Sequence, residues 1–173
     1  MKIFTYPKIG IEQEYRNGID NSENALISIL SSVDTPLSNE VKSSYKYVLE
    51  LRFDDLPFNI SFKEENDSES EFYKMISFEF YHYARVYKFI KYNLKNFDGN
   101  IKVHCTAGTS RSGAVAIGIS LIKKDFALYR QIMQDNEIIP NQLVLSYFIQ
   151  NLVGSDNYWF DLIDVYKTIL RRK

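Results

Sequence analysis

The one cysteine of the chain, Cys105, stands six residues before Arg111 in the run H-C-T-A-G-T-S-R-S-G at 104–113. A thiol and a guanidinium at that spacing, with Gly108 between them, share one small concavity if the chain turns sharply there. The flanking residues supply that turn. I-K-V-H at 101–104 reads as a short buried strand, and G-A-V-A-I-G-I-S-L-I at 113–122 as a buried helix. A loop that wraps onto a helix N-terminus aims several backbone N–H groups inward, where the dipole also favours an anion. Arg111 adds a planar fork for two oxygens of a phosphate. The same field stabilises a thiolate at Cys105, so a nucleophile and an oxyanion cradle occupy one pocket. The chemistry this fits is phosphoryl transfer through a cysteinyl-phosphate.

The stretch resembles H-C-x-x-G-x-x-R-S, the signature of the cysteine-dependent protein tyrosine and dual-specificity phosphatases. The resemblance is tight over 103–113 and loose over 25–152. It implies Cys105 as the nucleophile and Arg111 as the clamp on phosphate. Thr106, Ala107, Gly108, Thr109 and Ser110 would form the substrate-binding loop with it. Ser112 would donate a hydrogen bond to the sulfur as it leaves. Neither metal nor cofactor is implied, because Arg111 and the backbone amides carry the charge stabilisation. Strand alternation turns the side chain of His104 away from the pocket, as a group that fixes the loop rather than a general base. Pro140 and Asn141 resemble a Pro-Asn pair found downstream in dual-specificity members. A helix N-cap explains Asn141 equally well, so it stays outside the predicted site.

Hydrolysis also needs an acid to protonate the leaving oxygen. Members of this family take it from an aspartate that follows an upstream strand. Here V-L-E-L-R-F at 48–53 is followed by Asp54 and Asp55, and the register of the resemblance favours Asp55, with Asp54 next. Asp55 lies fifty residues before Cys105, farther than the family's usual spacing of about thirty, so the acidic stretch between would be an insertion. Asp67, inside that stretch, is a further alternative without a strand to place it.

The elements that must hold these groups follow from the apolar pattern. Strands are expected over 2–6, 25–30 and 46–53, with a helical turn at 12–16 and a polar loop around Pro36. Residues 63–71 carry five acidic side chains and almost nothing apolar. From 71 to about 95 the apolar positions recur mostly every three or four residues, as one amphipathic helix with room for a kink. Helices follow at 126–134 and, after Asn141, at 142–152. Gly154 closes that helix, and a last one spans 158–170. Strands interleaved with helices predict an α/β domain with a small, mostly parallel central sheet flanked by helices. The resemblance implies the same fold, with most helices C-terminal to the cysteine loop, and residues 1–173 as one phosphatase domain.

Composition sets the bounds. The chain has 173 residues, 45% hydrophobic and 25% charged, which is ordinary for a soluble globular protein. A net charge of -1 points to neither nucleic acid nor a membrane surface as partner. One cysteine forbids an internal disulfide, and a thiolate survives in a reducing compartment, so a cytoplasmic location is expected. No apolar run is long enough for a signal peptide or a bilayer span. The loop T-A-G-T-S holds no lysine for extra phosphates and no His-rich segment like that of RNA 5′-phosphatases. The expected partner is therefore a phosphorylated protein, with phosphotyrosine as substrate and phosphoserine or phosphothreonine added if specificity is dual. The compact chain looks more like the dual-specificity group. The alternative is a pseudophosphatase that captures phosphorylated partners without hydrolysing them.

Overall fold

Parallel strands buried on both faces read as unbroken apolar runs rather than alternating ones. A-L-I-S-I-L comes close to that in the computed structural model, which describes residues 1–57 and 75–152, while I-K-V-H-C alternates in character yet is buried throughout. The strands are β1 (Ile3–Pro7), β2 (Ala25–Leu30), β3 (Tyr47–Arg52) and β4 (Ile101–Cys105). They form one four-stranded sheet in the order β1-β4-β2-β3, and every pairing is parallel. The two inner strands, β2 and β4, are buried at every position, while β3 at the edge alternates.

Alternation along the inner strands divides the core. Ala25, Ile27, Ile29, Ile101, Val103 and Cys105 face the larger apolar cluster, and Leu26 faces a smaller one. The small cluster is closed by Ile11 of α1 (Lys8–Arg16) and Val41 of α2 (Asn39–Ser43). The large one is closed by α3 (Phe80–Lys88), α4 (Arg111–Lys123), α5 (Phe126–Asp135) and α6 (Gln142–Leu152). Helices therefore cover both faces, as expected. Among the described residues three α-helices precede the cysteine loop and three follow it, so they are not concentrated after it.

The helix expected from residue 71 begins nine residues later. Residues 58–74 lie outside the description, and with them Asp67 and nearly all of the acidic stretch; residues 153–173, with the expected last helix, lie outside it too. What delays α3 is visible at 75–79. Asp54 donates its backbone N–H to the Ile76 carbonyl at 2.7 Å and accepts the Ile76 N–H on Oδ2 at 2.6 Å. That pairing holds the segment extended and seats Phe78 edge-on against Phe53. The helix then starts at Phe80, with His82 Nδ1 accepting the Glu79 N–H at 3.0 Å and Nε2 meeting the Arg52 carbonyl at 3.0 Å. A π-helical turn, Phe89–Asn93, follows α3 where the apolar spacing left room for a kink. Near the N-terminus, α1 follows directly on Pro7, its N-cap residue, and is longer than the single turn expected. The polar loop around Pro36 holds the short α2, capped by the Ser38 hydroxyl.

α4 is buried along its whole length from Arg111 to Ile122, which a helix allows only if its neighbours pack close. Gly118 makes that possible, because a Cβ there would lie 2.5 Å from the ring carbon Cγ of the fully buried Phe148. In an open helix Gly→Ala is worth about 1 kcal/mol of added stability. Here Gly118→Ala is expected to destabilise by about 1–3 kcal/mol through overpacking. The urea midpoint decides the sign: a midpoint at or above that of the parent would mean that α6 gives way freely.

Candidate active site

β4 delivers Cys105 at its carboxyl end, and Arg111 opens α4, so the loop 106–110 must close in five residues. Gly108 makes the turn with φ +83°, and its backbone passes so close to β1 that a Cβ would lie 2.4 Å from the Pro7 nitrogen. Both the positive φ and the contact require glycine. Pro7 is also the register partner of Cys105, so β1 forms the wall behind the loop.

Three of the loop carbonyls accept backbone N–H groups from neighbouring segments. Thr106 O accepts from Lys8 N at 3.4 Å, Thr109 O from Ile139 N at 3.3 Å, and Ser110 O from Ala114 N at 3.0 Å and Asn141 N at 3.2 Å. Gly108 N–H donates to Cys105 Sγ at 3.2 Å, and no other amide of 106–110 has a protein acceptor among the described residues. Ser112 Oγ lies 3.3 Å from the same sulfur. Cys105 Sγ is therefore held between the Gly108 amide and the Ser112 hydroxyl.

Arg111 is only 5% exposed. Its Nη1 donates to the Phe53 carbonyl at 2.9 Å, and its Nη2 to Thr106 Oγ1 at 2.7 Å. Nε is buried and has no acceptor among the described residues. A buried donor without a partner is costly, and an oxyanion seated in the loop would satisfy it.

The two aspartates after β3 separate cleanly. Asp54 is tied down on both oxygens: Oδ1 accepts from Ser32 N at 3.0 Å and Ser32 Oγ at 3.1 Å, and Oδ2 from Ile76 N at 2.6 Å. It joins three segments of backbone, and none of its hydrogen bonds goes to the cysteine loop. Asp55 is exposed and reaches the loop directly, with Oδ1 accepting from Ser110 Oγ at 2.7 Å. Asn141 Nδ2 donates to the same oxygen at 2.7 Å and to the Leu56 carbonyl at 2.9 Å. The structure thus brings together Cys105, Arg111, Ser112, Asp55 and the loop 106–110.

Two residues belong beside them that the sequence reading left out. Asn141 does cap α6, accepting the Val144 N–H at 3.0 Å, and the same side chain anchors Asp55. The resemblance of Pro140–Asn141 was the available signal for it. Asp34 gave no signal, yet its Oδ2 accepts from Thr106 Oγ1 at 3.0 Å. His104 points away from the loop, as strand alternation requires. Its Nε2 meets Ser28 Oγ of β2 at 2.8 Å, and burial pushes its pKa down to about 4 against a weak upward pull from the Cys105 backbone. Near neutral pH it is an uncharged support under β4.

No family model and no curated protein matches the sequence. Solved structures do match. The chain is similar to Tk-PTP in its active form, with TM-score 0.54 and 12% identity over 89% of this chain and 91% of that one. It is similar also to the human tyrosine phosphatase-like serine/threonine/tyrosine-interacting protein, with TM-score 0.51 and 18% identity over 86% and 89%. A mutant form of Tk-PTP gives TM-score 0.53 at 12% identity over 89% and 93%. A four-stranded parallel sheet with helices on both faces carries the cysteine loop at the end of an inner strand, and with these matches the chain has the cysteine-based tyrosine-phosphatase fold.

Proposed function

We propose that the chain is a cysteine-dependent protein phosphatase that hydrolyses phosphotyrosine through a cysteinyl-phosphate, in one domain over residues 1–173. The observation that carries the reading is the loop itself. Its bonded carbonyls, its amides left without protein acceptors among the described residues and the unpartnered Nε of Arg111 support an oxyanion cradle beside the Cys105 sulfur.

In the proposed reaction the Cys105 thiolate attacks phosphorus in line with the leaving oxygen. The S–P bond forms as the P–O bond breaks, while Asp55 hands its proton to the departing phenoxide. Arg111 and the loop amides hold the equatorial oxygens throughout. Water then attacks the cysteinyl-phosphate, Asp55 takes its proton, and sulfur leaves as a thiolate stabilised by the Ser112 hydroxyl. Ser110 and Asn141 keep Asp55 beside the loop for both steps. A thiolate nucleophile of this kind suits a reducing compartment. Dual specificity is the finer form of the proposal, and a loop without lysine favours a protein substrate over one with extra phosphates.

A second reading has one observation in its favour. One structural neighbour is described as phosphatase-like and as an interacting protein, so the loop could hold a phosphorylated partner without turning it over. Substitution at the sulfur separates the two. Cys105→Ser is expected to abolish release of phosphate from an aryl phosphate while inorganic phosphate still binds. Arg111→Lys should be nearly inactive as well, since a point charge does not replace the planar fork. Equal turnover by either variant would contradict the mechanism, and a parent with no turnover at all would favour capture.

Asp55 is tested through the leaving group. Asp55→Asn should lower kcat for phosphotyrosine by about 10²–10⁴-fold, the usual worth of general acid catalysis. The loss should shrink for an activated aryl phosphate, whose leaving group needs little protonation. Asp54→Asn should instead lower stability through its contacts with Ser32 and Ile76, with only a modest loss of rate. Reversed behaviour of the two variants would move the acid by one residue.

A further inference from the structure

Asp34 lies in the connection between β2 and α2, seventy-two positions from the loop residue it touches. Its Oδ2 accepts the Ser31 N–H at 2.8 Å and the Thr106 hydroxyl at 3.0 Å. Thr106 Oγ1 in turn accepts from Arg111 Nη2 at 2.7 Å. A hydroxyl has one hydrogen to give. With that hydrogen directed at Asp34, the lone pairs of Thr106 are turned toward the guanidinium. An ionised carboxylate is acceptor-only, so it enforces that direction.

The connection carrying Asp34 is itself pinned. Arg52 Nη1 donates to the carbonyls of Ser31 at 2.6 Å, Ser32 at 3.2 Å and Asp34 at 3.2 Å. Lys8 Nζ donates to the Thr35 carbonyl at 2.6 Å. Burial by itself would raise the Asp34 pKa, but the bonds from Ser31 and Thr106 and the Arg111 charge outweigh it. The group is held below the usual carboxylate range, and so it stays an acceptor.

We propose that Asp34 is a positioning residue: through the Thr106 hydroxyl it fixes the direction in which Arg111 presents its guanidinium to a phosphate. The role rests on the reading of loop 105–111 as a phosphate site. Without Asp34 the hydroxyl is free to rotate, and Arg111 loses one of its two protein acceptors.

The test is binding of inorganic phosphate by titration calorimetry, which needs no turnover, together with kcat/KM for an aryl phosphate. Asp34→Ala should weaken phosphate binding and lower kcat/KM by about 10-fold each, the order expected for a hydrogen bond to a charged group. Thr106→Val should give a loss of the same size. The double variant should lose no more than either alone, because the residues act in one chain of bonds. Thr106→Ser keeps the hydroxyl and should retain most of the binding, whereas Asp34→Asn, whose amide donates as well as accepts, should retain only part of it. A purely structural role would lower the melting temperature but leave the two losses additive and phosphate binding intact. Additive losses, or unchanged phosphate binding in folded Thr106→Val, would overturn the proposal. No phosphate binding by the parent would overturn it together with the loop reading. The same binding pattern in a protein that releases no phosphate would uphold it and remove only the phosphatase reading.

Discussion

Arg111 is a full positive charge placed almost entirely out of water, and the parts of the site are arranged around that fact. Removing a guanidinium from solvent is expensive unless its hydrogens find acceptors. Two are found in the protein, at the end of β3 and on the loop's own Thr106. The Nε hydrogen is left pointing at nothing the described residues supply. An oxyanion seated in the loop would complete the set.

That arrangement needs backbone in places where ordinary loops do not go. Gly108 passes against the backbone of β1 with a positive φ, and the carbonyls of Thr106, Thr109 and Ser110 are held by the backbone N–H groups of Lys8, Ile139 and Asn141. The strand order β1-β4-β2-β3 is what sets β1 and β2 on either side of β4, the strand that ends in Cys105. From β2 comes Ser28, which holds the neutral His104 beneath the strand, and the following connection brings Asp34 to Thr106. From the end of β3 come Phe53 and Asp55. Each inner or neighbouring strand thus ends in a group that touches the loop, as the carboxyl edge of a parallel sheet should.

Much of this was legible because it is local. Cys105, Gly108, Arg111 and Ser112 lie within eight residues, and their spacing states its chemistry without knowledge of the fold. The run at 25–30 has the unbroken apolar character of an inner strand, and its limits in the sequence are those of β2. What the sequence hid was made by distant pairs. Asp34 meets Thr106 across seventy-two positions, and Asn141 meets Asp55 across eighty-six. An aspartate in a polar loop and an asparagine before a helix both have sufficient local reasons to exist, so neither announces a second contact. The start of α3 was misplaced for the same reason: the apolar spacing before residue 80 is helical, but Asp54 holds the Ile76 backbone extended from another strand's end. Asp54 and Asp55 differ by one residue of register, and only the distant contacts with Ser32 and Ser110 show that the second and not the first reaches the cysteine loop.

The central claim is that phosphorus passes onto the Cys105 sulfur. The direct measurement is phosphorus NMR and peptide mapping of the protein denatured during turnover of an aryl phosphate. The account predicts a phosphoryl group on sulfur in the peptide that contains Cys105, formed by the parent and absent from Cys105→Ser. Sustained phosphate release with Cys105 unmodified, or a phosphoryl group carried on another residue, would contradict it.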